Sequence, residues 1–212
     1  YKTIFSGDYE NDDEVSFVKE TDGSYSLTHK NYEDNATFLF DVYFEDKTKF
    51  VLDGVVLSHS SYYGIYTSKR AISASLDLIV DNVAFEDIPG DAVNSGYPQV
   101  SIQIDHSSFN RNYRCLHLIY ADVNIQNSKF EENGPEALLR NTSASENSVI
   151  IDNVSFVRNS GMIHTDSEFL IKNSIFDSNG YSRESNNFLV LGISNPSTSI
   201  LNTQFIQNET NG

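Results

Sequence analysis

Aspartates are the residues of this sequence whose type and spacing could perform chemistry. Asp53, Asp81 and Asp105 each close a short apolar run, and they recur at intervals of about twenty to thirty residues. Two neighbouring carboxylates can protonate a leaving group and activate water, which is the chemistry of glycoside hydrolysis. A column of carboxylates can instead collect a calcium ion, or it can lie on a solvated face, which is the simplest interpretation. Asp53, Asp81 and Asp105 are therefore candidate catalytic residues and candidate calcium ligands.

The candidate aspartates belong to a repeated unit, and this unit must position them. Its clearest copy is 123–133, in which two apolar residues separated by one residue are followed by Asn127, Phe130 and Asn133. The same pattern returns along the chain, anchored on Leu57 and then on Phe85, Phe109, Phe130, Phe156, Phe176 and Phe205. A period in the twenties with insertions of variable length indicates a solenoid.

Alternation of apolar and polar residues with a period of two predicts strands and argues against helices. Val123, Ile125 and Asn127 fall on one face of a strand, whereas a helix would scatter them. Short strands without crossover helices bury their inward residues by stacking coil on coil, about 4.8 Å apart. The sequence therefore predicts an all-β fold, a parallel β-helix (solenoid) of about seven to eight coils at residues 25–212. We expect residues 1–24, an acidic segment, to form an edge or capping coil.

Continuing the alternation to the end of the first strand makes the asparagine at the bend an inward residue. A buried amide needs hydrogen-bond partners, and amides stacked from coil to coil supply them. We therefore predict a buried ladder of Asn82, Asn127, Asn153, Asn173 and Asn202, with histidines in the same position of other coils. Three residues later in each coil, we expect an aromatic stack that consists of Phe85, Phe109, Phe130, Phe156, Phe176 and Phe205.

Stacked asparagines at a strand bend, aromatic stacks and coils of twenty-odd residues resemble the right-handed parallel β-helix of the pectin-lyase-like superfamily. The Phe-x-x-Asn spacing also resembles the repeats of chlamydial polymorphic membrane proteins, although their Gly-Gly-Ala-Ile tetrapeptide is missing here. The superfamily resemblance covers roughly residues 25–208 and implies a right-handed fold. It implies cleavage of acidic polysaccharides only as one activity among others, because many but not all proteins with this fold are such enzymes.

One segment resembles the Gly-Asp-Asp segment of polygalacturonases, which carries paired catalytic aspartates. Asp91 follows Gly90 here, but Ala92 stands where the second aspartate is expected. The Gly-His-Gly and Arg-Ile-Lys segments of that family have no counterpart in this chain. The resemblance makes Asp91 a further candidate catalytic residue, and the simplest interpretation of the segment is a Gly-Asp turn.

Composition and charge restrict the partners and cofactors. The 212 residues carry a formal net charge of −16, and the absence of a local basic patch argues against binding to nucleic acid or anionic lipid. No apolar run is long enough for membrane insertion, and the first residue, Tyr1, indicates a processed protein or a piece of a longer one. The single cysteine, Cys115, excludes an intrachain disulfide and is expected in the core. No cofactor is predicted apart from calcium at the aspartates.

Sequons of the type Asn-x-Ser/Thr indicate a secreted route. Asn141 lies in a polar stretch and is the first candidate for a glycan. Asn35 and Asn208 occupy the closing position of their coils, and Asn153 belongs to the predicted ladder, so we rank these three lower. We therefore expect a glycan on Asn141 before any other sequon.

Two classes of function remain. The favoured one is a non-catalytic module, extracellular or at a cell surface, whose rigid face serves adhesion or structural assembly. Its partners would be other protein chains, copies of itself, or glycans, and the unpaired strand edges at the ends of a solenoid favour such contacts. The alternative is a carbohydrate-active enzyme, a polysaccharide lyase or a glycoside hydrolase, that acts in a groove on the outer face. Its catalytic residues would come from Asp53, Asp81, Asp105 and Asp91.

Overall fold

The computed structural model describes residues 2–21, 24–69, 73–97, 99–142, 147–180, 191–193 and 197–208. Within these ranges the chain forms strands β1 to β24, numbered along the sequence, and no helix. Three sheets contain all strands but two, and every strand pair within them is parallel. The molecule is therefore an all-β parallel β-solenoid of about six turns, as the sequence predicts in kind.

Each coil runs through the three sheets in one order, and we number the sheets in that order. The first sheet contains β5 (Lys47–Asp53), β8 (Ser75–Asp81), β11 (Val100–Asp105), β14 (Ala121–Gln126), β17 (Ser148–Asp152), β20 (Glu168–Lys172) and β23 (Thr198–Leu201). The second contains β1 (Thr3–Ser6), β6 (Val55–Ser58), β9 (Ala84–Glu86), β12 (Ser108–Asn110), β15 (Lys129–Glu131), β18 (Ser155–Val157), β21 (Ile175–Asp177) and β24 (Gln204–Ile206). The third contains β4 (Phe38–Phe44), β7 (Tyr63–Lys69), β10 (Asp91–Ser95), β13 (Arg114–Ile119), β16 (Ala137–Thr142), β19 (Met162–Thr165) and β22 (Leu191–Ile193). The two remaining strands, β2 (Glu14–Lys19) and β3 (Tyr25–Lys30), form an antiparallel hairpin.

Equivalent positions of the repeat stack on one another in register. Val123 of β14 pairs with Ile102 of the preceding coil and with Val149 of the following coil. All three side chains are buried, because alternation along an extended strand points them into the interior. The strand alternation and the coil-on-coil stacking predicted from the sequence are therefore confirmed.

Phenylalanine rings form a continuous stack inside the second sheet. Neighbouring rings from Phe85 to Phe205 have centroids 4.5 to 5.0 Å apart and interplanar angles of 4° to 21°. The rings are buried in every coil except the last described one, where Phe205 is 49% exposed. Each aromatic pair adds about 0.5 to 1.5 kcal/mol beyond the burial of its area. The aromatic stack is present as the sequence predicts.

A left-handed residue marks the first bend of each coil, between its first and second strands. The backbone angle φ is +70° at Gly54 and lies between +47° and +56° at the equivalent residues Asn82, His106, Asn127, Asn153, Asn173 and Asn202. Asparagine and glycine adopt this conformation more readily than other residues. The repeated asparagine is therefore selected by the backbone of the bend.

The prediction that these asparagines point inward is wrong. The exposed side chains form a column on the outside, whose members are Asn82, Asn127, Asn153, Asn173 and Asn202. Within the column, Asn153 Nδ2 donates to Asn127 Oδ1 at 2.8 Å. Alternation between inward and outward side chains holds only along extended backbone, and a left-handed residue interrupts it. The next residue after Asn153, Val154, is accordingly the buried one.

A buried asparagine ladder does exist, but at the closing position of the coils, between the second and third strands. Its members are Asn112, Asn133, Asn159, Asn179 and Asn208. Each of the first four amides donates to the Oδ1 of the next member at 3.0 to 3.1 Å and to a phenylalanine carbonyl of the preceding coil at 2.9 to 3.0 Å. The Oδ1 atoms also accept a backbone N–H from the coil before. The interior amides are thereby fully bonded, as buried polar groups must be.

The start of the predicted β-helix, from residue 25 to residue 35, does not form a coil. Its strand, β3, pairs with β2, and the hairpin lies across the outer side of the second bends. Tyr25 donates its hydroxyl hydrogen to the carbonyl oxygen of Ser178 at 2.8 Å, and His29 Nε2 lies 3.0 Å from the carbonyl oxygen of Arg111. The boundary predicted between residues 24 and 25 falls between the two strands of this hairpin. The solenoid accordingly has about six turns instead of seven to eight.

Candidate functional site

The aspartate column predicted from the sequence is present on the first sheet. Asp53, Asp81 and Asp105 end β5, β8 and β11, pair in register, and have solvent access. The bend residue His106 joins them, with Nδ1 3.4 Å from Asp81 Oδ1 and 3.2 Å from Asp105 Oδ1. One possible ligand atom from each of Asp81, Asp105 and His106 lies within 4.8 Å of the others. This trio has the spacing for a cation, and Asp53 is not part of it.

A polar cleft of about 380 Å³ follows the first bends beside these aspartates. Its lining includes the exposed column residues Asn127 and Asn153, the bend residue His106, and Lys129 at the start of β15. Asn127 Nδ2 donates to Asp105 Oδ1 at 2.8 Å, which connects the cleft to the aspartate column. Amides, hydroxyls and an ammonium group in this arrangement can hydrogen-bond the hydroxyl groups of a sugar.

Asp91 lies at the start of β10, with only 1% of its side chain exposed. It forms an ion pair with Arg114 Nε, accepts a hydrogen bond from Asn94 Nδ2 at 2.5 Å, and lies 3.3 Å from His117 Nδ1. Arg114 also pairs with Glu136 at 3.1 Å. Because its neighbours occupy the carboxylate and solvent does not reach it, Asp91 supports the third sheet and is not placed to act on a substrate.

Exposed aromatic rings cover the outer surface of the third sheet in its first coils. Ring centroids of Tyr62 and Tyr63 are 4.8 Å apart, those of Tyr63 and Tyr66 are 5.0 Å apart, and those of Tyr66 and Phe38 are 6.4 Å apart. Tyr62 is 51% exposed and Phe38 is 44% exposed. We call Phe38, Tyr62, Tyr63 and Tyr66 the aromatic face. Gly90 packs closely against the backbone of Tyr62, since a Cβ at position 90 would collide with the carbonyl oxygen of Tyr62.

Two tyrosines of the aromatic face, Tyr63 and Tyr66, keep their hydroxyl protons at neutral pH, because the pKa of each is raised. Partial burial is the largest cause that raises the pKa of Tyr63 above its ordinary value of 10.0, and the neighbouring Asp91 adds to the effect. Burial likewise raises the pKa of Tyr66. Both rings therefore remain uncharged; the Tyr63 hydroxyl can donate a hydrogen bond to a bound partner, whereas the Tyr66 side chain is hydrogen-bonded to Tyr97.

A column of polar side chains continues the aromatic face along the third sheet. Asn94 pairs in register with Tyr66, and His117, Arg140 and His164 follow in successive coils. Each of these residues directly follows a buried apolar residue of its strand, so it points outward. Sequence reasoning missed the column, because the third strands vary and no common motif joins them. The polar residue after each inward apolar residue was the available signal.

The structure changes which sequons are accessible. Asn141 was expected in a polar loop, but it lies in β16 and is fully buried, with Nδ2 donating to the carbonyl oxygen of Ala121 at 2.8 Å. Asn35 is 7% exposed, and Asn208 belongs to the buried ladder. Asn153, ranked lower on sequence, is exposed at the first bend. In this fold Asn141 has no room for a glycan, whereas Asn153 faces solvent.

Cys115 lies in β13 with its side chain fully buried, as the sequence predicts. Burial raises the pKa of its thiol well above the ordinary value, and Asp91 adds to this effect. Since the thiolate is the reactive form, this cysteine is a small core residue and not a nucleophile.

Comparison of the chain with protein-family models, with curated proteins and with solved structures finds no match. Across its described ranges the chain contains no helix of the length and apolarity that crossing a membrane would require. The function is therefore argued from the arrangement of the residues alone.

Proposed function

We propose that this protein is a non-catalytic binding module, extracellular or at a cell surface, that serves adhesion or structural assembly. The observation that carries the proposal is the aromatic face, a set of neighbouring rings on the outside of the solenoid, of which Phe38 and Tyr62 are exposed and Tyr63 and Tyr66 half-buried. Tyrosine, together with arginine and tryptophan, supplies most of the residues that dominate binding energy at protein interfaces. Rings with only two rotatable bonds also lose little conformational entropy when a partner orders them.

The chemistry of the aromatic face suits a partner with flat apolar surfaces and polar edges, such as a glycan or another protein chain. The rings offer flat surfaces, while the Tyr63 hydroxyl and the side-chain carbonyl oxygen of Asn94 offer hydrogen bonds. His117 and Arg140 follow in the next coils, one strand spacing of about 4.8 Å apart. An extended partner lying along the solenoid axis would meet these groups in succession.

Replacing the exposed rings tests the proposal. We expect the double variant Tyr62→Ser/Tyr66→Ser to lose at least about tenfold in affinity for the glycan, cell surface or sister chain that the unmodified protein binds. Tyr120→Ser is the matched control, because Tyr120 is 43% exposed at a different corner of the coil. Equal binding by the double variant and the unmodified protein, measured by surface plasmon resonance, would refute the role of this face.

A second candidate function, a carbohydrate-active enzyme, has one specific observation in its favour. Oxygen atoms of Asp81 and Asp105 lie within 4.8 Å of each other, near the separation of about 5 to 5.5 Å that is typical of retaining glycosidases. The polar cleft beside them offers room for a sugar chain. Both carboxylates are well exposed, whereas the general acid of a glycosidase typically lies in an apolar pocket.

An assay of polysaccharides for new reducing or unsaturated ends tests the second candidate. If the protein is such an enzyme, the unmodified protein should be active, and both Asp81→Asn and Asp105→Asn should lose that activity. Asp53→Asn is the control, because Asp53 lies in the same column but outside the trio of Asp81, Asp105 and His106. Activity that survives all three substitutions would exclude these aspartates as the catalytic pair.

We also infer that the chain resembles a narrower group of proteins than the parallel β-solenoids in general. The buried asparagine ladder and the phenylalanine stack support a place among the right-handed β-helices of the pectin-lyase-like superfamily. The Phe-x-x-Asn spacing supports a narrower likeness to the repeats of chlamydial polymorphic membrane proteins. In the five copies that begin at Phe109, Phe130, Phe156, Phe176 and Phe205, that spacing joins a ring of the stack to an amide of the ladder.

A further inference from the structure

Two loops meet where the hairpin leaves the solenoid. The first loop, 7–13, joins β1 to β2, and the second loop, 31–37, joins β3 to β4. Carboxylate oxygens of Asp8, Asp12 and Asp13 on the first loop lie within 4.8 Å of one another. Negative charges at this distance repel one another and favour the binding of a compensating cation.

Buried oxygen atoms without a hydrogen-bond partner among the described residues lie in this cluster and on the second loop beside it. Asn35 is 7% exposed, and its Nδ2 donates to Asp13 Oδ2 at 2.7 Å, so its amide group lies against the carboxylates. Neither Asn35 Oδ1 nor Asp13 Oδ1 accepts a hydrogen bond from any described residue. The hydroxyl of Tyr32, a residue that is 6% exposed, also lacks a partner in the described part of the chain. Orphaned buried acceptors are uncommon and call for an explanation.

A basic side chain does lie near these oxygens, but it is also close to another carboxylate. His59 is a basic side chain near Asp13, and its Nε2 lies 3.8 Å from Asp87 on the next coil. Within the described ranges, two groups donate hydrogen bonds to these carboxylates. The backbone N–H of Asn11 donates to Asp8 Oδ1, and the amide of Asn35 donates to Asp13 Oδ2. These two contacts leave the orphaned oxygens of Asp13 and Asn35 unused.

We propose that Asp8, Asp13 and Asn35, with Asp12 and Tyr32 beside them, bind one divalent cation of the calcium class. The available atoms are all oxygens, from carboxylates, a side-chain carbonyl and a hydroxyl, and hard cations prefer oxygen ligands. Ligands on two loops suit calcium, which accepts six to eight oxygens in flexible geometry, better than magnesium, which needs a near-ideal octahedron. A further loop contact, Asn31 Nδ2 to the carbonyl oxygen of Asp12 at 2.9 Å, already holds the loops together.

The site differs from the aspartate column in position and in consequence. Its ligands flank the hairpin on both sides, Asp8 and Asp13 before β2 and Asn35 after β3. A cation bound there would hold the base of the hairpin against the first coils. The Asp81, Asp105 and His106 group contains no buried orphaned oxygen among the described residues, so it lacks the second observation that supports the hairpin site.

Calcium titration of the full chain, after treatment with a chelator and at about 0.15 M salt to screen non-specific attraction, tests the proposal. We expect one site by isothermal calorimetry and a rise of about 5 °C or more in the melting temperature at hundredfold excess over the dissociation constant. Hydrogen exchange of β2 and β3 should slow on calcium addition. Asp13→Asn and Tyr32→Phe should each weaken calcium binding at least about tenfold, whereas Asp34→Asn and Asp105→Asn should leave it unchanged.

Tyr32→Phe keeps the ring and removes only an unbonded hydroxyl, so its fold is expected to persist, as circular dichroism can verify. A loss of binding in this variant with an unchanged spectrum supports the site directly. The proposal is overturned if calcium produces neither heat nor a thermal shift at millimolar concentration. It is also overturned if Asp34→Asn or Asp105→Asn weakens binding as much as Asp13→Asn does.

Discussion

The left-handed residue at the first bend of each coil decides which asparagine side chains are buried. The amide of Asn153, at the first bend, meets solvent, whereas the amide of Asn133, at the closing position, is buried. Asn133 Nδ2 donates to the carbonyl oxygen of Phe109 and to Asn159 Oδ1, while its Oδ1 accepts from the backbone and side chain of Asn112. Four hydrogen bonds therefore converge on one buried side chain.

Removing that side chain should cost much more than removing an exposed one. We expect Asn133→Ala to lower the free energy of unfolding by about 3 kcal/mol or more, because it leaves several buried polar groups without partners. Asn127→Gly removes an exposed amide and keeps a residue that tolerates φ of +47°, so its effect should stay below about 1 kcal/mol. Urea unfolding measures both, and equal effects would contradict the placement of the ladder.

At the scale of elements, the hairpin of β2 and β3 is held to the coils by contacts that include two long-range hydrogen-bond partners. His29 lies against the carbonyl oxygen of Arg111, and Tyr25 bonds to that of Ser178. Burial is the largest cause that lowers the pKa of His29 below its ordinary value of 6.5, and repulsion by Arg111 and His59 adds to the effect. The neutral imidazole is therefore the form that the folded hairpin accepts.

This pKa shift gives the docking of the hairpin a pH dependence with a defined sign. The contribution of His29 to stability is complete above pH 6.5, the value for the unfolded chain, and it is lost as the pH falls below that value. We expect hydrogen exchange in β2 and β3, corrected for its intrinsic pH dependence, to accelerate between pH 7.5 and pH 5.5. His29→Gln, which is neutral throughout and can still donate to a carbonyl, should remove this acceleration. An acceleration of the same size in that variant would assign it to other groups.

At the scale of the whole molecule, the sequence predicts the features that recur from coil to coil, but it does not predict the features outside the repeat. The solenoid, the phenylalanine stack and the register of Asp53, Asp81 and Asp105 follow from periodic spacing. Parity alone could not place Asn127, because the left-handed bend changes the direction of the chain. The hairpin and the aromatic face depend on contacts between residues far apart in the sequence, such as Tyr25 with Ser178, and no local pattern predicts them.

The same division supports the proposed binding function. The most regular residues stack the coils, and the buried Asp91 is engaged by Arg114 and Asn94. Groups that face solvent in an ordered row, from Tyr66 through Asn94 to the histidine of the next coil, offer contact area and hydrogen bonds. The exposed pair of Asp81 and Asp105 is the observation on which the alternative proposal, a carbohydrate-active enzyme, rests.

One measurement separates these two accounts most directly. An array of polysaccharides is incubated with the unmodified protein, and both retention on the protein and the appearance of new reducing or unsaturated ends are recorded. We predict retention of at least one glycan without new ends, and loss of that retention in Tyr62→Ser/Tyr66→Ser. New ends that disappear in Asp81→Asn or Asp105→Asn would contradict a non-catalytic module, and retention unchanged in the tyrosine variant would contradict the aromatic face as its binding surface.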